Sequence, residues 1–130
     1  MGAFLTKLLV AGGVMGVLDA IWLSVVANKF YKANIGPLLL EKPNMVAAVV
    51  FYVIYVVGVV VFAIAPATDW KHAALLGALF GFVAYATYDL TNLATLKGFP
   101  LKVVIVDMIW GTVLTAVVAS VAYWLVNRAW

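Results

Sequence analysis

The 130-residue sequence contains no cysteine, one histidine (His72) and few charged side chains. Without cysteine there is no disulfide framework, no thiolate metal site and no thiol redox chemistry. A single histidine excludes a cluster of imidazole metal ligands. Charged residues make up only 10% of the chain, whereas an ordinary soluble domain has about 25%. Most of the remaining side chains are apolar.

Hydrophobic residues make up 68% of the chain, compared with roughly 45–50% in a soluble domain. They form four runs that each reach the length of about 20 residues needed to cross a bilayer. We predict an all-α integral membrane protein, a four-helix bundle with four transmembrane helices at about 4–27, 45–65, 73–96 and 101–126. Because the connections are short, residues 1–130 are expected to form a single transmembrane domain.

The first apolar run differs from a secretory signal peptide. It continues for about 20 residues, whereas a typical hydrophobic signal segment has about 7–15. It also contains Asp19, and no clear small-residue cleavage site follows. We therefore expect this run to be the first membrane span.

Basic residues divide unequally between the two ends of the spans, with no stripe that would suit nucleic acid. The net charge of +3 suits anionic lipid headgroups. The end nearer the aspartates of the spans has Lys29, Lys32, Lys42, Lys97 and Lys102, and the other end has Lys7, Lys71 and Arg128. The excess predicts that the aspartate-side loops are cytoplasmic and that both termini are outside.

Three predicted spans contain an aspartate: Asp19, Asp89 and Asp107. An aspartate within the hydrocarbon costs about 2.5–3.5 kcal/mol on insertion scales, so it is expected to pair or to act in a functional site. Counted from the span ends at 1.5 Å per residue, all three lie roughly 8–13 Å inside the same membrane face. We predict that they converge on one site.

The surroundings of Asp89 are unusually polar for a membrane span. At 100° per residue, Tyr85, Asp89 and Asn92 share one helix face, and Tyr88 and Thr91 flank it. Threonines in such helices often bond their own carbonyls, and a tyrosine such as Tyr52 either turns towards the aspartates or bonds a carbonyl. The predicted ligand- or proton-binding residues are Asp19, Asp89, Asp107, Asn92, Tyr88, Trp22 and Trp110, with Tyr52, Tyr85 and Thr91 as secondary candidates.

Three carboxyl groups shielded from water are not all expected to be ionised, because the charges would repel each other and lack hydration. Three outcomes are open. The cluster holds protons and exchanges them, or it holds a divalent cation such as Mg²⁺, Mn²⁺ or Ca²⁺. A metal ion, if bound, is expected at Asp19, Asp89 and Asp107. In the third outcome the acids bond each other, the indoles and Asn92, and only fix the helix bundle.

Two further patterns concern the connections and the ends of the spans. The first connection, residues 28–44, mixes lysines with aromatics and leucines as a segment in the headgroup region does, and Gly36-Pro37 interrupts any helix there. An interfacial turn is the simpler interpretation, and a lid over the site is the alternative. The letters of residues 19–22 (DAIW) are echoed by residues 107–110 (DMIW), which is too short to establish an inverted repeat.

Several segments together resemble a known family. They are residues 18–23 (LDAIWL), Phe51-Tyr52 with Tyr55, residues 85–95 (YATYDLTNLAT) and residues 106–112 (VDMIWGT). The chain resembles, over nearly its whole length, the small bacterial predicted membrane proteins catalogued as domain of unknown function 2177. The resemblance implies a bacterial inner-membrane protein of four spans. It implies no particular activity, so no catalytic residue is carried over.

The sequence leaves three functions open. We favour proton- or cation-coupled transport of a small solute or ion by a homo-oligomer in the lipid bilayer. The first alternative is a membrane-embedded enzyme acting on a lipid or isoprenoid substrate, with the carboxylates as metal ligands or general acid and base. The second is a structural or assembly subunit of a membrane complex, docked through faces rich in glycine.

Overall fold

The computed structural model describes residues 2–38 and 44–129. Within these ranges the chain is helical and forms no strand. The α-helices are α1 (Gly2–Trp22), α2 (Asn28–Ile35), α3 (Met45–Val59), α4 (Trp70–Thr95) and α5 (Leu101–Ala129). π-Helical segments at Leu23–Ala27 and Val60–Ile64 extend α1 and α3, and a short 3₁₀ helix, Gly36–Leu38, follows α2.

Four of the described segments are long and apolar enough to cross a membrane: Ala3–Ala27, Met45–Ile64, Trp70–Thr95 and Leu101–Asn127. The prediction of an all-α, four-span membrane bundle is confirmed. The largest difference in bounds is at the third span, which begins at Trp70 rather than at residue 73. The reason is a helix cap, because Asp69 Oδ1 accepts a hydrogen bond from the backbone N–H of His72 at 2.7 Å.

The turn between α4 and α5 and the short helix α2 both lie at the aspartate end of the bundle. Residues 96–100 join α4 to α5, and Gly98 in this turn has φ = +70°, a conformation that favours glycine. α2 ends at Ile35, directly before Gly36-Pro37, as the sequence predicts. Residues 39–43, which include Lys42 and the rest of this connection, lie outside the described residues.

Helices α4 and α5 approach each other closely along a seam of small residues. A Cβ added at Gly77 would lie 2.8 Å from the Ala119 Cβ, and one at Gly81 would lie 2.6 Å from Thr115 Oγ1. Gly111 supports the Tyr85 ring in the same way, since any Cβ there would overlap it. The seam therefore fixes the rotation of α4 against α5.

The π-helical extension of α3, Val60–Ile64, packs against α4. Phe80 of α4 packs directly on Gly58, where a Cβ would lie 2.6 Å from the ring Cζ. The same ring stacks on Phe62, with centroids 6.0 Å apart, and tilts against Tyr55 at 5.3 Å. Phe80 thus fills the narrow end of the gap between α3 and α4, and the wider part of the gap lies towards the aspartates.

Candidate functional site

Asp89 is the most unusual side chain of the bundle. It is 0% exposed, and neither carboxyl oxygen has a hydrogen-bond partner among the described residues. The Asp107 carboxyl group of α5 lies close enough to interact with it electrostatically and to share a proton with it. Two carboxyl groups form a hydrogen bond only when one of them carries a proton. The pair is therefore unsatisfied when both groups are ionised.

Asp107 also contacts α2. The Tyr31 hydroxyl donates a hydrogen bond to Asp107 Oδ1. Burial raises the pKa of the Tyr31 phenol, and the hydrogen bond to Asp107 and the charge of that carboxylate raise it further. Tyr31 therefore stays protonated, and remains a donor to Asp107, throughout the physiological pH range.

Apolar packing of α2 holds Tyr31 in this position. Phe30, Tyr31 and Ile35 pack on a small cluster made of Phe99 and the first turns of α5, while Lys29 and Lys32 stay exposed. Helix α2 therefore lies against Asp107 at this end of the bundle. Tyr31 is not among the site residues predicted from the sequence.

Asp19 lies apart from the carboxyl pair. The Trp110 indole of α5 lies near enough to act as its donor, and Asp19 interacts electrostatically with Tyr52 and Tyr55 of α3. Among the described residues, no group of three or more His, Cys, Asp or Glu side chains is arranged to hold a metal ion. The structure thus brings Asp89 and Asp107 together and leaves Asp19 in a separate environment beside the Trp110 indole.

Two stacked tryptophans link these environments. The Trp22 and Trp110 rings have centroids 4.2 Å apart and an interplanar angle of 8°. The Trp110 indole lies near enough to donate to Asp19, and the Trp22 indole lies near enough to donate to the Tyr31 oxygen. Both tryptophans named from the sequence therefore lie at the acids, in contact with each other.

The tyrosines of α3 are hydrogen-bonded away from the carboxyl groups. The Tyr52 hydroxyl donates to the Gly12 carbonyl oxygen of α1, which is the backbone alternative considered for it. The Tyr55 hydroxyl lies 2.7 Å from Thr115 Oγ1 of α5. These bonds connect α3 to both neighbouring helices at the level of the site.

The remaining residues predicted on α4 divide between the interior and the surface. Thr91 is exposed, and its hydroxyl bonds the carbonyl oxygens of Thr87 and Tyr88 in its own helix. Asn92 is half-buried and hydrogen-bonds the Tyr88 hydroxyl. Tyr85 is half-buried and interacts electrostatically with all three aspartates. Tyr85 is thus the common neighbour of the two acidic environments.

A cavity of about 330 Å³ lies beside the carboxyl pair. Its lining consists of Phe51 and Tyr55 of α3, Ala84, Tyr85 and Tyr88 of α4, and Asp107 of α5. The side chains of Phe51 and Tyr88 are about half exposed, at 51% and 55%. The cavity therefore opens on the outer surface of the bundle between α3 and α4, which in a bilayer faces lipid.

Tyr31 and Phe51 were not named as site residues from the sequence. The only signal for Tyr31 was the aromatic character of residues 28–44, and Phe51 had none beyond its position next to Tyr52. Both lie at the site because of how the helices pack against each other. The periodicity of a single helix gives no information on that packing.

Comparison with known proteins places the chain in one family. No curated protein and no solved structure matches it. A family of predicted membrane proteins, domain of unknown function 2177, matches residues 4–124, and the chain belongs to this family.

Proposed function

We propose that the Asp89–Asp107 pair is the proton-binding site of a small transporter in which proton release is coupled to the movement of a solute. The observation that carries the proposal is the environment of Asp89, which is fully buried, has no hydrogen-bond donor among the described residues and lies beside a second carboxyl group. Such a pair binds one proton favourably and repels itself when both groups are ionised. Binding and loss of that proton change the charge of the site.

The unpaired oxygens of Asp89 favour this proposal over a purely structural role. A polar network that only fixes helix packing is stable when every buried member has partners. Asp19 is closer to that description, because it is only partly buried and the Trp110 indole lies near enough to act as its donor. Asp89 does not fit it, and an unsatisfied acid within a membrane span is expected to be functional.

A membrane-embedded enzyme acting on a lipid remains a second candidate because of the cavity mouth between Phe51 and Tyr88. In that case Asp107 and Asp89 act as general acid and base, or as oxygen ligands of a divalent cation. Lipid that co-purifies with the protein, or activity that requires added Mg²⁺ or Mn²⁺, would support the enzyme. Neither is expected of a proton-coupled transporter.

Infrared spectroscopy of the purified protein tests the proton site directly. We expect the C=O stretching band of a protonated carboxyl group at neutral pH, and we expect Asp89→Asn to remove it. Asp69→Asn is the matched control, since Asp69 lies at the opposite end of α4 and asparagine keeps its capping role. A wild-type spectrum without this band would overturn the proposal.

Transport is tested in proteoliposomes that contain a pH-sensitive dye. Small solutes are added outside one at a time, and a solute that exchanges for protons changes the internal pH. We expect the response to disappear in Asp89→Asn and to persist in Asp69→Asn. An undiminished response in Asp89→Asn would show that the carboxyl pair does not couple the two movements.

The same proposal includes a single transmembrane domain in the cell inner membrane, a homo-oligomeric assembly and a cytoplasmic aspartate side. Lys97 and Lys102 are exposed at the aspartate end of α4 and α5, and Lys71 is exposed at the other end. Because the chain has no cysteine, Lys97→Cys and Lys71→Cys each introduce a single labelling site. In intact cells, a membrane-impermeant maleimide should label Lys71→Cys and spare Lys97→Cys. The reverse pattern would invert the topology.

A further inference from the structure

We propose that the cavity between α3, α4 and α5 binds a small organic monocation with an aromatic or branched apolar body, which enters from the lipid side. The inference rests on the proposed function, because the ligand's charge would take the place of the proton at the carboxyl pair. It adds the chemical class of the transported solute.

Aromatic rings dominate the lining of the cavity. Four of its six residues are Phe51, Tyr55, Tyr85 and Tyr88. Tyr55 and Tyr85 stand at 90° to each other with centroids 6.2 Å apart, and the bond to Thr115 occupies the Tyr55 hydroxyl. Ring faces attract cations, most strongly where water is excluded, so these fixed walls favour a positively charged organic group.

Asp107 is the one residue of the lining with a titratable carboxyl group. Tyr31 occupies its Oδ1, and the buried Asp89 lies beside it. The two acids repel an anion and offer a neutral ligand no advantage. A strongly hydrated inorganic ion would leave water for a lining that is otherwise aromatic or aliphatic, so an organic cation with weakly hydrated charge fits best.

The size and opening of the cavity restrict the ligand further. A volume of about 330 Å³ is at the small end of the roughly 300–1,000 Å³ typical of ligand pockets. Its mouth lies between exposed side chains of two membrane spans, Phe51 and Tyr88. The ligand is therefore a compact cation that partitions into the bilayer.

Benzyltrimethylammonium is a suitable probe, because its neutral isostere, neopentylbenzene, has the same shape without the charge. We expect radiolabelled benzyltrimethylammonium to bind the purified protein in nanodiscs, and neopentylbenzene to displace it at least about tenfold less well than the unlabelled cation. Binding should weaken by about tenfold or more in Asp107→Asn. Asp69→Asn, which is remote from the cavity, should bind as the wild type does.

A second variant distinguishes a specific loss of binding from a loss caused by misfolding. Ala84→Phe fills the cavity without changing any charge, and circular dichroism confirms that each variant is helical. We expect it to block binding as Asp107→Asn does. Equal displacement by neopentylbenzene, or unchanged binding in a folded Asp107→Asn or Ala84→Phe protein, would overturn the assignment of the ligand.

Proton release separates this inference from the proposed function. In weakly buffered solution, a pH indicator should report protons released as benzyltrimethylammonium binds. Binding that depends on Asp107 but releases no proton would keep the ligand class and contradict proton coupling. A protonated carboxyl band with no binding of the cation would contradict the ligand class alone.

Discussion

The hydrogen bond from Tyr31 to Asp107 joins α2 to the membrane-spanning helices, and a double-mutant cycle measures its strength. Tyr31→Phe removes the hydroxyl and keeps the ring that packs edge-on against Phe30, with centroids 5.3 Å apart. Asp107→Ala removes the acceptor. Comparison of the two single variants with the double variant isolates the interaction between these side chains.

The structure sets the expected magnitude. A hydrogen bond to a charged group contributes about 1.5–3 kcal/mol, and a neutral one about 0.5–1.5 kcal/mol. Tyr31→Phe loses the bond to Asp107, so it should lower the free energy of unfolding by about 1.5–3 kcal/mol. The cycle retains only the bond between Tyr31 and Asp107. We therefore expect a coupling energy of about 1.5–3 kcal/mol.

The assay is reversible unfolding in mixed micelles of increasing dodecyl sulfate content, followed by circular dichroism. The matched control is the cycle of Tyr52→Phe with Asp107→Ala, because the Tyr52 hydroxyl bonds the Gly12 carbonyl instead. That cycle should show coupling within about 0.5 kcal/mol, as for independent sites. If the Tyr31 cycle gives the same small value, α2 is not attached through Asp107 and the account of this contact is wrong.

Three further predictions use the same unfolding assay or an optical titration. Gly81→Ala should lower the free energy of unfolding by about 1–3 kcal/mol, whereas Gly13→Ala, where a Cβ meets nothing within 4 Å, should leave it unchanged or raise it. Asp89→Asn should be at least as stable as the wild type while transport is lost, because the uncharged amide donates to Asp107 as the protonated carboxyl group does but releases no proton; Asp69→Asn should change neither. The raised pKa of Tyr31 means that its stabilising contribution is complete below the ordinary tyrosine pKa of about 10 and is lost as the pH rises above it. Absorbance titration should therefore show one late-ionising tyrosine fewer in Tyr31→Phe than in the wild type.

The four spans could be predicted because a bilayer imposes a minimum length that hydrophobic runs record directly. The depth of each acid is a prediction from the same counting, since every helical residue adds about 1.5 Å. Asp89 and Asp107 flank a five-residue turn, and the structure places them side by side. The apolar run predicts a start of the third span at residue 73, whereas α4 begins at Trp70. The capping bond of Asp69 extends the helix beyond the apolar run.

The rotation of each helix could not be predicted from its sequence alone. Depth places Asp19 level with the other acids, but the side on which it lies depends on how α1 packs against α3 and α5. The Tyr52–Gly12 bond and the Trp22–Trp110 stack fix that rotation, and they direct Asp19 towards the Trp110 indole. The cavity is unpredictable for a related reason, since it depends on Phe80 packing on Gly58 in a different helix.

The two Asp-x-x-Trp segments show how similar sequences acquire different environments. In antiparallel α1 and α5 the tryptophans stack, so each indole lies near the acid of the opposite helix. Trp110 lies near enough to donate directly to Asp19, whereas Trp22 lies beside Tyr31, which in turn donates to Asp107. Asp19 therefore has an indole beside it. Asp107 has instead a phenol from a short helix at the end of the bundle, and it faces both the buried Asp89 and the cavity. Tyr31 thus donates to Asp107 and leaves the neighbouring Asp89 without a donor among the described residues, which is why we propose the proton site at α4 and α5 rather than at α1.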